Sequence, residues 1–296
     1  MQSTNYQGEN LVLIVGSPRS GTTWLQALLS SNSKIHTGPE TYIFEGYVAR
    51  QLRKYQKDLQ NIKEGKPATG LACYFTEEEF LTLLRDYLCR LLYPMISKLE
   101  YGELFVEKSP DHSLYIPEII YLLPKVRFIN ILRDPRDVVA SIVRSSKEWG
   151  ASWAPSQAAR ATNIWLNHVT AVRRAFVNIS SDQYIEIRYE NLHRNTAQCL
   201  KEIMRFLKLE WDHDEVLSAI SRNSSDFLRD HRTTGISVGG EAKKIVGDKF
   251  NLPAGFIGPA TPGSWNDTLS WASKFTVWWL ARKTMNEIGY KWHYPW

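Results

Sequence analysis

Residues 11–25 read LVLIVGSPRSGTTWL, and the fold turns on this stretch. Leu11–Val15 is apolar without alternation, as a strand covered on both faces is. Gly16 and Gly21 bracket a short loop, after which Trp24, Leu25, Leu28 and Leu29 recur at helical spacing from Thr22 onward. Strand, glycine-bounded loop and helix start together make an anion cradle: backbone N–H groups point into the turn, and the helix N-terminus adds about half a positive charge. A nucleoside-triphosphatase loop places Lys after its second glycine; here Thr22 stands in that position. The cation of this loop is Arg19, with Thr22 and Thr23 as hydroxyl donors. A carboxylate for Mg²⁺ is missing as well, because the strand Phe128–Leu132 is followed by Arg133 before Asp134, which disfavours metal-dependent phosphoryl transfer.

Outward from this stretch, Leu104–Val106, Val126–Leu132 and Tyr184–Ile187 read as further buried parallel strands. Between them lie helical patterns. Thr76 and Glu79 form a capping box opening a long helix to about Ser97, bent at Pro94. Others fall at Leu114–Leu123, Pro135–Arg144, Gln157–Ile179, Thr196–Leu207, Asp214–Ser221 and Leu269–Ile288. Strands alternating with helices predict a three-layer α/β sandwich with a central parallel sheet, as one domain over 1–296. The stretch 223–263 is rich in Gly, Ser, Thr and Lys without periodicity, and reads as a functional loop or lid.

Composition bounds the partners. The 296 residues are 43% hydrophobic and 12% aromatic, with 11 Trp, so some rings are candidates for lining a flat-ligand pocket while most belong to the core. A formal charge of +5 favours anionic partners, but no long Lys/Arg run marks a nucleic-acid arm. Cys73, Cys89 and Cys199 form no CxxC pair, so neither a disulfide framework nor a zinc site is implied and a reducing compartment fits. The polar start MQSTNYQGEN lacks a signal-peptide core, and no apolar run nears ~20 residues. The expectation is a soluble cytoplasmic protein with neither a nucleic-acid nor a membrane partner.

A second anion site is readable at 133–144, RDPRDVVASIVR. Asp134 suits an N-cap, Pro135 the first helical position, and Ser141 falls about two turns later. Arg133 lies at the C-terminal end of a strand, where open α/β sheets bind ligands. Alternatively, Arg133 and Arg136 pair with Asp134 and Asp137 on a solvated face.

PRSGTTWL and RDPRDVVAS together resemble the two nucleotide signatures of sulfotransferases that use 3′-phosphoadenosine-5′-phosphosulfate (PAPS). RYENL at 188–192 and FLKLEW at 206–211 are also similar to that family. The resemblance implies a P-loop-like sulfotransferase fold with PAPS as donor, 3′-phosphoadenosine-5′-phosphate (PAP) as product and no required metal. It implies that Ser17, Arg19, Ser20, Gly21, Thr22 and Thr23 hold the 5′-phosphosulfate and that Arg133 and Ser141 hold the 3′-phosphate. Trp24 would stack on adenine and Tyr189 lie near it; Trp24 alone, on an apolar helix face, reads more readily as core. Ser225 and Phe227, in NSSDFL, match loosely as adenine neighbours. The Arg-Lys-Gly triplet of many cytosolic members is not visible; Lys243, Lys244 and Gly263–Trp265 are the nearest candidates.

Sulfuryl transfer needs a base for the acceptor proton and cations at the leaving oxygen. Glu40, in GPET, resembles the base of tyrosylprotein-type and several bacterial members, though by itself it reads as a loop carboxylate. Lys108, in VEKSP, fits the strand-end cation of the family; by itself it pairs with Glu107 or Asp111. His112 is a second candidate base, displaced from the family's usual position, which is Pro110 here. His36 is a weaker one. The acceptor is expected to be a hydroxyl or amine of a small secondary metabolite, such as an alkaloid or polyketide, or of a glycan. The competing readings are a P-loop kinase or NTPase, and a nucleotide-binding module without activity.

Overall fold

A computed structural model describes residues 6–148, 150–224, 228, 233–237, 239–246, 249–251, 256, 258 and 260–291. Five strands form its central sheet: β1 Leu11–Val15, β2 Ile35–Thr37, β3 Leu104–Lys108, β4 Arg127–Leu132 and β5 Tyr184–Arg188. Their order is β2-β3-β1-β4-β5, with every pairing parallel. β1 lies at the centre, with Val12 opposite both Val106 and Arg127. The chain leaves β1 for one side of the sheet and later returns to build the other, so the crevice at the C-terminal end of β1 is where such a sheet takes a ligand.

The three layers follow from the alternation of side chains along β1. Leu11, Leu13 and Val15 enter a core shared with helices α2 Ala49–Lys63, α3 Glu77–Ile96, α4 Ile116–Leu122 and α6 Ala158–Phe176. Val12 and Ile14 enter a second core with α1 Thr22–Leu29 and α8 Thr196–Leu207 on the opposite face. A third cluster joins α5 Pro135–Glu148, α6 and the last helix, Trp271–Glu287, around the fully buried Trp165.

The expected three-layer architecture is present, with several local differences. The Thr76–Glu79 capping box is made, Glu79 N donating to Thr76 Oγ1 at 3.3 Å and Thr76 N to the Glu79 carboxylate at 2.8 Å. The expected helix Leu114–Leu123 divides into a 3-10 turn, Pro110–Tyr115, and α4, whose first turn carries Pro117. The last helix is likewise preceded by a separate turn, Trp265–Thr268, and capped by Ser270. Elements not anticipated include the edge strand β2, a π-helical turn Ile43–Val48 together with the helix α2 that it runs into, and the short α7 Tyr189–Arg194. Within 223–263, Thr233–Ser237 and Lys249–Asn251 form an antiparallel pair. Among the described residues no helix is long and apolar enough to cross a membrane.

The turn out of β1 depends on Gly16. Its φ is 141°, and a Cβ there would lie 2.5 Å from the Ile131 carbonyl oxygen of β4. Gly16→Ala should therefore cost more than about 2 kcal/mol of unfolding free energy in urea. Gly46→Ala, where a Cβ meets nothing within 4 Å, should change it by less than about 0.5 kcal/mol.

Candidate functional site

The cradle forms as β1 ends and α1 begins. Arg19 adopts φ 69° and Gly21 φ 98°, two left-handed positions that fold the loop back on itself. Gly16 N donates to Ser113 Oγ at 2.8 Å, so the turn after β3 braces the loop from below. No side chain caps α1, which leaves first-turn amides available to an anion. A Cβ on Gly21 would fall 2.5 Å from the Tyr189 ring, so only glycine lets that ring close against the cradle.

The two anion sites read from the sequence meet here. Arg19 Nε donates to Ser141 Oγ at 3.0 Å, and Arg133 Nη1 to the Arg19 carbonyl at 3.3 Å. The Arg133 guanidinium lies 3.9 Å over the Tyr189 ring, while its buried Nε has no hydrogen-bond partner among the described residues. Arg144, one helical turn beyond Ser141, adds a third guanidinium, held by Glu148 at 3.3 Å. Burial, followed by the charges of Arg144 and Arg133, pushes the Arg19 guanidinium down to about 10. Mutually repelling guanidiniums and an orphaned Nε fit a multiply charged anion.

Asp134 and Asp137 have other tasks. Asp134 caps α5, accepting from Arg136 N at 2.8 Å, and binds the Arg136 guanidinium at 2.6 Å. Arg136 thus takes the paired alternative and Arg133 does not. Asp137 accepts from Gly263 N at 2.9 Å and Trp265 N at 3.0 Å, with Arg136 stacked 4.2 Å from the Trp265 ring. Burial pushes the Asp137 carboxyl up. This tie, absent from the sequence reading, fixes the end of the expected lid. Farther back, Phe256 O accepts from Arg19 Nη2 at 2.6 Å and Ala260 O from Tyr189 OH at 2.6 Å. Lys244 pairs with Glu241 on the surface. Trp24 is half-buried, bonds Asn223 O through Nε1 at 2.8 Å and meets Tyr189 edge-on at 5.7 Å. Ser225 and Phe227 lie outside the described residues.

At the end of β3, buried Lys108 forms an ion pair with Glu40, whose other oxygen accepts from Tyr42 OH. Glu107, its neighbour, organises this loop. Glu107 Oε1 accepts from Thr41 N at 3.0 Å, Thr41 Oγ1 at 2.9 Å and Ser109 Oγ at 2.6 Å, and Oε2 lies 2.9 Å from His112 Nε2. Burial raises this carboxyl, yet His112 and the donated hydrogen bonds outweigh it and bring Glu107 to about 2. His112 is fully enclosed, edge-on to Phe44 at 5.0 Å. His36 instead meets Glu103 at 2.9 Å, at the opposite, N-terminal end of β3. Ser17, Ser20 and Thr22 are buried in the cradle and Thr23 half-buried. Tyr42, with φ 51°, faces Glu40, Asp111 and Glu45, and burial together with these carboxylates raises its phenol. Asp111 is held down by the His168 hydrogen bond at 2.9 Å, whereas burial and Asp111 push Glu45 up.

A glycine-bounded loop at the central strand of an open parallel sheet, joined to a guanidinium cluster one strand away, is the arrangement of a nucleotide-binding α/β protein. The sulfotransferase family matches residues 12–213, and the chain belongs to that family; it is a sulfotransferase. It is 26% identical over 231 residues to a putative protein-tyrosine sulfotransferase of Caenorhabditis briggsae, covering 74% of this chain and 75% of that one. The protein-tyrosine sulfotransferase of Drosophila melanogaster is 24% identical over 239 residues, covering 74% of this chain and 44% of that one. The fold matches the sulfotransferase domain from the curacin biosynthetic pathway at TM-score 0.61 and 17% identity, covering 98% and 100% of the two chains. Mouse sulfotransferase SULT7A1 complexed with PAP matches at 0.59 and 12%, covering 96% and 88%.

Two outcomes test this geometry. In Asp137→Ala, hydrogen exchange at the Gly263 and Trp265 amides should accelerate while β1–β5 amides keep their protection. Glu107→Gln should cost about 2 kcal/mol at neutral pH, because the amide N–H₂ cannot accept where both carboxylate oxygens face donors. A carboxyl lowered on folding contributes stability above its unfolded value of 4.5 and loses it as pH falls toward 2. The stability gap between wild type and variant, followed by urea unfolding, should narrow across that window.

Proposed function

We propose that this sulfotransferase moves a sulfuryl group from PAPS to a hydroxyl or amine of a small-molecule or glycan acceptor, with Glu40 as general base. The observation that carries this reading is the Glu40–Lys108 pair at the C-terminal end of β3, one strand from the Arg19 cradle. PAPS supplies an activated sulfuryl group with a bisphosphate leaving group. The Ser17–Thr23 loop binds its 5′ end, and Arg133 and Ser141, joined by Arg144, bind the 3′-phosphate. Trp24 and Tyr189 flank the adenine, with Ser225 and Phe227 assigned to the same place, and 223–263 acts as the lid.

At the reacting end, Glu40 takes the acceptor proton while Lys108 and Arg19 neutralise charge on the departing oxygen. His112 is assigned to positioning: it holds Glu107, which holds Thr41 and hence Glu40. A kinase or NTPase reading is disfavoured by Asp134, whose carboxylate is committed to Arg136 at the end of β4.

The carboxyl groups of Glu40, Glu45 and Asp111 all act on the Tyr42 phenol, on the side assigned to the acceptor. Such surroundings favour neutral or cationic acceptors, secondary metabolites among them, over acidic ones. Peptide tyrosine is the second reading, supported by the worm and fly relatives named as protein-tyrosine sulfotransferases. Unpaired Cys73, Cys89 and Cys199 support a cytoplasmic setting.

PAP should raise the melting temperature, ATP with Mg²⁺ should not, and Arg133→Ala should abolish the PAP shift. Arg19→Ala, Lys108→Ala and Glu40→Gln should each lower turnover by at least ~100-fold. His112→Gln, which retains a donor toward Glu107, should keep most of kcat; its loss would return His112 to the role of base. Assays offering amino-sugars, phenolic amines, and tyrosine peptides of basic or acidic sequence should rank the acidic peptide last.

A further inference from the structure

The last helix, Trp271–Glu287, turns Val277, Ala281 and Met285 inward against α5 and α6. On its opposite side Trp271, Phe275 and Trp279 follow at i, i+4 and i+8, a stripe about 12 Å long. These rings are 59%, 44% and 54% exposed, too open to belong to the core. They stack on one another, Trp271 on Phe275 at 5.7 Å and Phe275 on Trp279 at 6.2 Å. Arg282 lies 4.2 Å over Trp279 and donates to the Trp279 carbonyl, so its charge is carried at the stripe's edge. Lys274 is bonded to Asn266, with no carboxylate partner among the described residues, and Lys283 is exposed. The helix thus bears three cations, Lys274, Arg282 and Lys283, against one anion, Glu287.

We propose that this face docks on an anionic lipid surface. A convex row of indole and phenyl rings bordered by Lys and Arg is what lies stably at a headgroup boundary: the rings enter the acyl margin and the cations stay with the phosphates. The net charge of +5 acts in the same direction as the local cations. The sequence expectation of no membrane partner came from the lack of a spanning segment, and a face that lies on a bilayer requires none.

The stripe also begins near the Trp265–Thr268 turn. Lys274, one turn into the helix, reaches Asn266 and lies 5.6 Å from the Trp265 ring, which stacks on Arg136 at the start of α5. A bilayer under Trp271 would therefore lie beside the nucleotide edge of the sheet.

The test is co-sedimentation of the full chain with phosphatidylcholine vesicles, with and without phosphatidylglycerol. Wild type should bind the phosphatidylglycerol vesicles about tenfold more tightly. W271S/F275S/W279S should weaken that binding by at least about tenfold while keeping the wild-type melting temperature. R282E/K283E, which leaves the rings in place, should weaken it about tenfold and serves if the triple variant fails to fold. Binding that is absent in wild type, or unchanged in both variants, overturns the proposal. So does dimerisation in analytical ultracentrifugation that the ring substitutions abolish without any vesicle binding, which would make the stripe a contact between copies.

Discussion

The buried Glu107 carboxylate is the constraint on which the rest of the site depends. A charge taken wholly out of water survives only when hydrogen bonds and an opposite charge replace its hydration. Here Thr41, Ser109 and His112 supply that replacement, and in doing so they fasten three segments: the GPET loop, the end of β3 and the turn that follows. Ser113, in the same turn, braces Gly16 of the cradle. One buried carboxylate thereby fixes the separation between the residue assigned as base and the loop assigned to the donor. The cores on either side of the sheet would tolerate a small shift of the GPET loop; the directional hydrogen bonds of Glu107 do not.

Electrostatics then sort the RDPRD segment. Arg136 is neutralised by Asp134, and Asp137 is occupied by the backbone amides of Gly263 and Trp265. Arg133 is left with a tyrosine face and a carbonyl, and it joins Arg19 and Arg144 in a cluster short of compensating carboxylates. Charge left unneutralised in this way costs stability in the free protein and returns as affinity when an anion arrives. The two aspartates thus serve the arginine that neither of them binds: one withdraws its competitor and the other anchors Gly263 and Trp265.

What the sequence made legible was whatever depends on local chain chemistry. The glycines at 16 and 21, the uninterrupted strand before them and the Asp-Pro start of α5 each state their conformation in a few residues. β2 escaped because three residues on a sheet edge carry no period. α2 escaped because only Ala49, Leu52, Tyr55 and Asp58 are buried in a largely polar run, although Leu52, Tyr55, Leu59 and Ile62 keep helical spacing. In the site, Arg133, Ser141 and Arg19 were readable one by one, but their meeting is a tertiary fact. Glu107 was hidden for another reason: a glutamate beside a lysine in sequence suggests an ion pair, whereas neighbours in a strand point to opposite faces. Lys108 therefore turns to Glu40 and Glu107 to His112. Arg144 was legible in principle, standing one helical turn beyond Ser141.

The Glu40–Lys108 pair bears on how such a site avoids idle chemistry. With the two groups joined, the base and the leaving-group cation neutralise each other. Lys108 is buried with its side chain 5% exposed, whereas Glu40 is 29% exposed and hangs from a loop. Glu40 is therefore the partner free to move. An anion brought beside Lys108 by the cradle competes with Glu40 for the same ammonium, and at an effective dielectric near 20 that competition is worth about 4 kcal/mol at 4 Å. Tyr42 retains its hydrogen bond to one carboxylate oxygen, so Glu40 is turned and not released. On the proposed roles, the donor's own charge exposes the carboxylate oxygen that takes the acceptor proton, and the base becomes available only when there is a sulfuryl group to transfer.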